Sequence, residues 1–173
     1  MLNDNVIIDV DNQYLHFSAA HFTIFSETER ERLHGHNYAI RVRAGGKLEN
    51  NGMAFNYNEL KSALFRLCQD LDEYTLLAEH SPYMRVSEQG DYYAAEFNGE
   101  KMLLLKSDTL LLPITNVSLE ELAGLMLSTI EQSKLLDQLG ITSLELEMSS
   151  GPGQRVKRLL NLTSSDIQGG YHE

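Results

Sequence analysis

Apolar residues recur along this chain at two periods, one close to two residues and one close to 3.6. Val6–Val10 is rich in β-branched residues and reads as a strand. From Tyr14 to His21 every second position, Leu15, Phe17, Ala19 and His21, falls on one face, which predicts a second strand. A polar, charged stretch from Ser26 to Arg32 reads as a loop. Alternation then resumes over Leu33–Ala44, with His34, His36, Tyr38, Ile40 and Val42 on one face and Arg41 and Arg43 on the other. Gly45-Gly46 and Asn50-Asn51-Gly52 are turn signals. Met53–Tyr57 suggests a short strand, and Asn58 is placed to cap a helix running to about Asp70.

Residues 83–112 form an excursion rich in hairpin signals: an aromatic run from Tyr92 to Phe97, the dipeptide Asn98-Gly99, and Lys101–Lys106. Ser118 with Glu121 three residues later is a capping box. It opens a helix expected to reach about Leu136, with Leu122, Leu125, Met126 and Ile130 along one side. After Gly140, Ile141–Met148 alternates as a last strand, and Ser164–Glu173 is a polar tail expected to be loose. Strands, helix, hairpin, helix and strand in this order predict an α+β domain over residues 1–163, with helices packed on an antiparallel sheet and a hairpin insertion at about 83–112.

Composition narrows the function. The 173 residues fit one domain, and 42% hydrophobic with 23% charged residues is an ordinary globular balance. The start carries no basic segment followed by an apolar one, and no apolar run nears the roughly 18 residues that would span a membrane, so a cytoplasmic address is expected. A net charge of −11 argues against a broad nucleic-acid surface. An anionic substrate would have to be met by a local basic pocket. The single cysteine, Cys68, precludes an internal disulfide. It shares a helical stripe with Leu60, Leu64, Leu67 and Leu71, where a thiol is a small core residue rather than a nucleophile.

The chemistry concentrates in His34-Gly35-His36. On a strand these two imidazoles project to one side about 7 Å apart. His21 ends the preceding strand on its apolar face. If the two strands are neighbours, three neutral nitrogens converge, a donor set that suits zinc and leaves a fourth position open for catalysis. Accidental spacing, or a core histidine pair satisfied by backbone, is the competing explanation. A cupin barrel also uses His-x-His, but two amphipathic helices fit it badly. His16, His80 and His172 show no comparable spacing.

Phe17-Ser18-Ala19-Ala20-His21-Phe22, followed by Leu33-His34-Gly35-His36-Asn37-Tyr38, resembles the 6-pyruvoyltetrahydropterin synthase and 6-carboxytetrahydropterin synthase superfamily. The likeness continues through Gly52–Lys61, Leu71-Asp72 and Asn116–Ala123, in family order across about residues 14 to 150. The resemblance implies the tunnelling fold, an antiparallel sheet with two helices on one face, in trimers whose sheets close a barrel and which pair into hexamers. It implies zinc held by His21, His34 and His36. It also implies a pterin substrate, 7,8-dihydroneopterin triphosphate or a close relative, held at subunit interfaces.

Departures from the family pattern carry as much information. Synthases of the family have a catalytic cysteine shortly before His-Gly-His, whereas this chain has Glu27-Thr28-Glu29-Arg30-Glu31-Arg32. Glu31 resembles a variant branch in which glutamate replaces that cysteine and the side chain is cleaved to 6-hydroxymethyl-7,8-dihydropterin. Against this, Glu31 also sits in a charge run that solvent alone would explain. The family's Asp-His relay is half kept, as Asp72 followed by Glu73. The pterin-anchoring glutamate of the last strand corresponds to Glu147 or Glu145, with Glu147 preferred, although simple register puts Met148 there. The expected function is a zinc-dependent lyase on a dihydroneopterin phosphate, with Glu31 as base and Asp72 assisting. A non-catalytic or regulatory pterin binder is the alternative, and an unrelated zinc hydrolase a third.

Overall fold

One long strand organises the molecule. In the computed structural model, which describes residues 4–162, β3 runs unbroken over His34–Lys47. Its first half pairs antiparallel with β2 (His16–His21), and its second half pairs on the same side with β1 (Asn5–Val10). Its other edge pairs with β9 (Ser143–Ser149), which carries β10 (Arg155–Asn161) outside it. Beyond β2 lie β4 (Tyr74–Ala78) and β8 (Thr109–Leu112). The seven-stranded sheet is mixed rather than wholly antiparallel, because β2–β4 and β4–β8 are parallel pairs. β4 runs antiparallel to β3, as β2 does, and so lies parallel to β2, and parallel neighbours such as β4 and β8 are joined by a long crossover rather than a tight turn.

Two helices, α1 (Tyr57–Gln69) and α2 (Leu119–Gln132), cover one face of this sheet and make the fold α+β. Leu60, Leu64 and Cys68 of α1, and Leu122, Met126 and Ile130 of α2, are buried with Phe17, Tyr38, Ile40, Leu146 and Met148 of the strands. Burial of each such large apolar side chain contributes about 1.5–3 kcal/mol. The opposite sheet face carries a ladder of charge across four strands, with Asp9 paired to Arg43, Asp11 to Arg41, and Lys157 to both Glu145 and Glu147.

The excursion folds as a separate three-stranded sheet, β5 (Met84–Gln89), β6 (Tyr92–Phe97) and β7 (Glu100–Leu105). Asn98 and Gly99 both have positive φ, 45° and 79°, as the tight hairpin turn requires. One face of this sheet, through Met84, Ala95 and Phe97, makes a second core with Phe22, Ile24 and Leu77.

Several elements differ from expectation. Gly45-Gly46 is not a turn: β3 continues through it, and the Phe55 ring packs tightly over Gly46, 3.0 Å from where a Cβ would stand. Met53–Tyr57 forms no strand, and α1 is capped by Asn56, whose side chain accepts from the Asn58 N–H at 3.2 Å. The second helix stops at Gln132, because Lys134 is left-handed (φ 61°), and a short α3 (Leu135–Leu139) follows. Strands β4 and β8 escaped the periodicity because they are short parallel strands of consecutive apolar residues rather than alternating ones. β10 escaped it because it is a cation-bearing edge strand. The expected loose tail, Ser164–Glu173, lies outside the described residues. Among the described residues no helix is long and apolar enough to cross a membrane.

Cys68 is 1% exposed, and burial first, then the nearby Asp72 charge, pushes its thiol up to about 12. The native chain should therefore resist a thiol reagent such as DTNB at pH 8 and label stoichiometrically only after unfolding in urea. Prompt labelling of native protein would contradict this packing.

Candidate metal centre

The β2–β3 register sets His21 directly opposite His34, with His36 two residues further along the same face. Ring centroids are 4.8 Å apart for His21–His34, 5.2 Å for His21–His36 and 4.7 Å for His34–His36. One nitrogen from each ring lies within 4.8 Å of the others, and the Nε2 atoms of His34 and His36 are 3.0 Å apart. Ligand nitrogens on a tetrahedral zinc, with bonds of about 2.0–2.1 Å, sit about 3.3 Å from one another.

The hydrogen-bond partners select the tautomers. His21 Nδ1 faces the Val117 carbonyl at 2.9 Å and His34 Nδ1 faces the Arg32 carbonyl at 2.7 Å. A ring N–H donating there leaves each Nε2 as a lone pair turned inward, the usual outer support of a metal-binding histidine. Burial lowers the His21 pKa against the opposing pull of Val117, and the neighbouring His34 and His36 lower it further, so this ring is neutral. Among the described residues, His21 Nε2 and the Tyr38 hydroxyl are buried polar atoms without a hydrogen-bond partner. Such orphans, next to the inward-turned Nε2 atoms of His34 and His36, fit a bound cation and its ligand.

Two residues that sequence reasoning passed over hold this arrangement. The Asn116 side chain accepts from Ile24 N–H at 3.0 Å and donates to the Ile24 carbonyl at 2.8 Å, pinning the chain just past His21. The adjacent Val117 carbonyl orients His21 itself. Both immediately precede Ser118, whose hydroxyl caps α2 by accepting from Glu121 N–H at 3.3 Å. The Asn-Val-Ser string thus ties the helix start to the strand bearing His21, and the capping box and the family likeness over Asn116–Ala123 were its visible signals.

Glu31 is half-buried, unlike its exposed neighbours Glu27, Glu29 and Arg32. One carboxylate oxygen accepts the Thr23 N–H at 2.9 Å, and the Glu31 N–H donates to the Thr23 carbonyl at 2.9 Å. Burial raises its pKa, but the Thr23 hydrogen bond and the adjacent His34 and His21 outweigh that and hold it below the ordinary glutamate value. Together with His21, His36, Tyr38 and the start of α2, it lines a cleft of about 210 Å³. Burial, reinforced by the Glu31 charge, raises the Tyr38 pKa and keeps its hydroxyl protonated.

The other candidate residues lie elsewhere in the chain. Strand alternation turns Glu147, with Glu145, to the face opposite the histidines, where Glu147 pairs with Arg155 at 3.3 Å and Lys157 at 3.5 Å. Met148 is the β9 residue that shares the histidine face, fully buried opposite Ile40. Asp72 accepts the Ser18 N–H at 2.7 Å, and Glu73, with φ 65°, donates its own N–H to the Ser18 carbonyl at 2.7 Å. Neither lines the cleft; the carboxylate sequence reasoning missed there is Glu120, exposed in the first turn of α2. His16 and His80 are exposed and apart from the centre, while His172 lies outside the described residues.

The family model for 6-pyruvoyl tetrahydropterin synthase matches residues 12–157. A protein of Pyrococcus abyssi, provisionally named a 6-carboxy-5,6,7,8-tetrahydropterin synthase, is 30% identical over 108 residues, 62% of this chain and 64% of its own length. The matched stretch thus spans just under two thirds of that relative. The solved 6-pyruvoyl tetrahydropterin synthase of Plasmodium falciparum superposes with a TM-score of 0.86 at 23% identity, over 92% of this chain and 100% of that one. A solved form of the Plasmodium vivax 6-pyruvoyltetrahydropterin synthase, in which a catalytic glutamate is replaced by alanine, superposes with a TM-score of 0.82 at 24% identity, over 91% and 99% of the two chains.

Stripped of metal and titrated with zinc, the chain should take up about one ion per subunit. His34→Ala should bind none tightly, measured by elemental analysis after gel filtration. Near-stoichiometric zinc in that variant would remove the three-histidine assignment.

Proposed function

The chain belongs to the 6-pyruvoyl tetrahydropterin synthase family, and from that premise we propose that it is a zinc-dependent lyase. It cleaves the side chain of 7,8-dihydroneopterin triphosphate or a close relative and releases 6-hydroxymethyl-7,8-dihydropterin. The observation that carries this reading is the Glu31 carboxylate, held ionised by Thr23 beside three converging imidazoles. It occupies the loop where synthases resembling this chain carry their catalytic cysteine, and the chain's one thiol is sealed in the core. The Plasmodium vivax protein, whose replaced catalytic residue is likewise a glutamate, supports the same reading.

Zinc on His21, His34 and His36 would supply a Lewis acid that makes side-chain hydroxyls more acidic. Glu31 accepts the proton of the second side-chain hydroxyl. The bond between the first and second side-chain carbons then breaks, its electrons drawn toward the C=N bond of the ring. The first carbon is reprotonated to the hydroxymethyl group, and the remaining fragment leaves as an aldehyde bearing the phosphates. Tyr38, kept protonated, donates a hydrogen bond to an oxygen in the cleft. Asp72, oriented by Ser18, assists proton transfer from a neighbouring subunit. A carboxylate accepts the paired N–H donors of a pterin edge, and Glu120, on the cleft, fits that task better than the ion-paired Glu147 on the far face. The working form is a homotrimer with the sheets closed into a barrel, or a hexamer of two such trimers. It acts in the cytoplasm on a small molecule, with no nucleic-acid or membrane partner.

One observation favours a second reading, a non-catalytic or regulatory zinc-containing pterin binder. Asp72, the retained half of the family's Asp-His relay, spends a carboxylate oxygen on the Ser18 N–H, and Glu73 stands where the relay histidine would be.

Two experiments test these roles. Zinc-loaded protein incubated with 7,8-dihydroneopterin triphosphate should yield 6-hydroxymethyl-7,8-dihydropterin by chromatography. Glu31→Gln should lower that turnover at least ~100-fold with zinc retained, and Cys68→Ala should leave it nearly unchanged. Binding of pterin with no turnover of any dihydroneopterin compound would establish the binder instead. For recognition, Glu120→Gln should weaken pterin binding about tenfold or more, whereas Glu147→Gln should leave it within about twofold. The reverse order would return the anchor to β9.

A further inference from the structure

Arg30 is a largely buried cation held by several contacts, and it is not one of the three converging histidines. Its side chain is 17% exposed. The guanidinium lies 5.4 Å from the Phe22 ring centroid and 5.8 Å from that of Phe97, between the end of β2 and the end of β6. One terminal nitrogen donates to the Glu31 main-chain carbonyl at 2.9 Å, and the other pairs with Glu100 at 3.0 Å. Its Nε is buried with no partner among the described residues. A desolvated guanidinium with a donor unused is costly to hold in place. A surface pair alone would not repay that cost. The planar group can, however, stack and fork at once, which a lysine cannot do.

Each contact of Arg30 leads to a different part of the molecule. Phe97 and Glu100 flank the Asn98-Gly99 turn of the three-stranded sheet. Phe22 directly follows His21. The carbonyl belongs to the residue whose carboxylate lines the cleft. Thr23 holds Glu31 from the other side, through both its N–H and its carbonyl. The loop between them closes through an Ile24–Arg30 bridge and Phe25 N–H to the Glu29 carbonyl at 2.9 Å. Glu31 is therefore fixed at its amide, its carbonyl and its carboxylate from within its own hairpin, and Arg30, which holds the carbonyl, also reaches Phe97 and Glu100 of the three-stranded sheet.

We propose that the three-stranded sheet is a brace for the general base, and that Arg30 is the positioning residue through which it acts. The proposal rests on the reading of Glu31 as base. A carboxylate that has lost the carbonyl restraint can swing away from the imidazoles without disturbing the metal ligands, so the brace should affect turnover more than zinc or substrate binding.

The test uses the full, zinc-loaded chain and reads two quantities. Amide hydrogen exchange at Thr23 reports directly on the Glu31 carboxylate, which accepts that N–H, and steady-state kinetics with 7,8-dihydroneopterin triphosphate report on the base. In Arg30→Met, exchange at Thr23 and Glu31 should rise about tenfold or more, with kcat falling about tenfold, KM within about twofold and zinc still near one per subunit. Arg30→Lys keeps the charge for Glu100 but not the stacked fork, and should recover less than half of the lost kcat. Glu100→Gln should show the same pattern more weakly, and serves if Arg30→Met does not fold. Lys101→Gln, on the exposed Glu96 pair of the same hairpin, should change neither quantity. Unchanged exchange at Thr23 and Glu31 in Arg30→Met would overturn the brace, and so would loss of zinc in that variant. Faster exchange with an unaltered kcat would overturn its catalytic purpose. Full turnover in Glu31→Gln would instead refute the base, with Thr23 exchange in Arg30→Met still reporting on the brace.

Discussion

The antiparallel pairing of β2 with β3 is the constraint on which the rest depends. Side chains alternate across a strand, so a slip of one residue would send an entire strand's set of histidines to the opposite face. With the register as found, His21 faces His34 and the three rings meet over the helix-covered side of the sheet. The pins holding that register are apolar as well as polar. Phe17 stacks on Tyr38, its partner across the same two strands, with centroids 4.8 Å apart and planes 13° from parallel. Both side chains are buried in the main core, so slippage would expose them along with much of the sheet's inner face. The polar centre is held in place by apolar packing beneath it.

Electrostatics then selects what the centre can hold. The chain carries a net charge of −11, yet three imidazoles converge beside the cleft, one of them kept neutral by burial. A carboxylate beside converging imidazole nitrogens is an attractive field for a divalent cation, and a bound cation would turn the local field in favour of an anionic substrate. The charged ladder on the opposite face plays no such part. Its acids and bases are matched across neighbouring strands, and Glu147 is one of them, turned to that face by strand alternation.

Two hydrophobic cores divide the labour. The larger joins both helices to the seven-stranded sheet and carries the histidines. The smaller fastens the three-stranded sheet to the segment just past His21, through Phe22 and Ile24. The loop bearing Glu31 runs between them, so the ligands belong to one core while the loop's outer anchor belongs to the other. The three-stranded sheet thus reaches the Glu31 loop through Arg30 without lining the cleft.

Within the sequence itself, whatever depends on local period was legible. His-Gly-His on an alternating strand, His21 closing another, the leucine stripe around Cys68, the Asn98-Gly99 hairpin and the Ser118 cap are all properties of a few consecutive residues. Each was recovered with small errors at its ends. Elements that owe their conformation to neighbours stayed hidden: β4 and β8 have no alternation to betray them, and β3 runs through Gly45-Gly46 because β1 pairs with both residues there. The same division runs through the site. Glutamate at position 31 was visible in the sequence, but its burial depends on Thr23 and Arg30 folding back over it. The faces of Glu147 and Met148 were fixed by the register of β9 against β3, as were the tasks of Asn116 and Val117 by the docking of α2 beside β2. Residue type and spacing decided which groups were available for chemistry. Only long-range pairing, which no local period encodes, decided which of them meet.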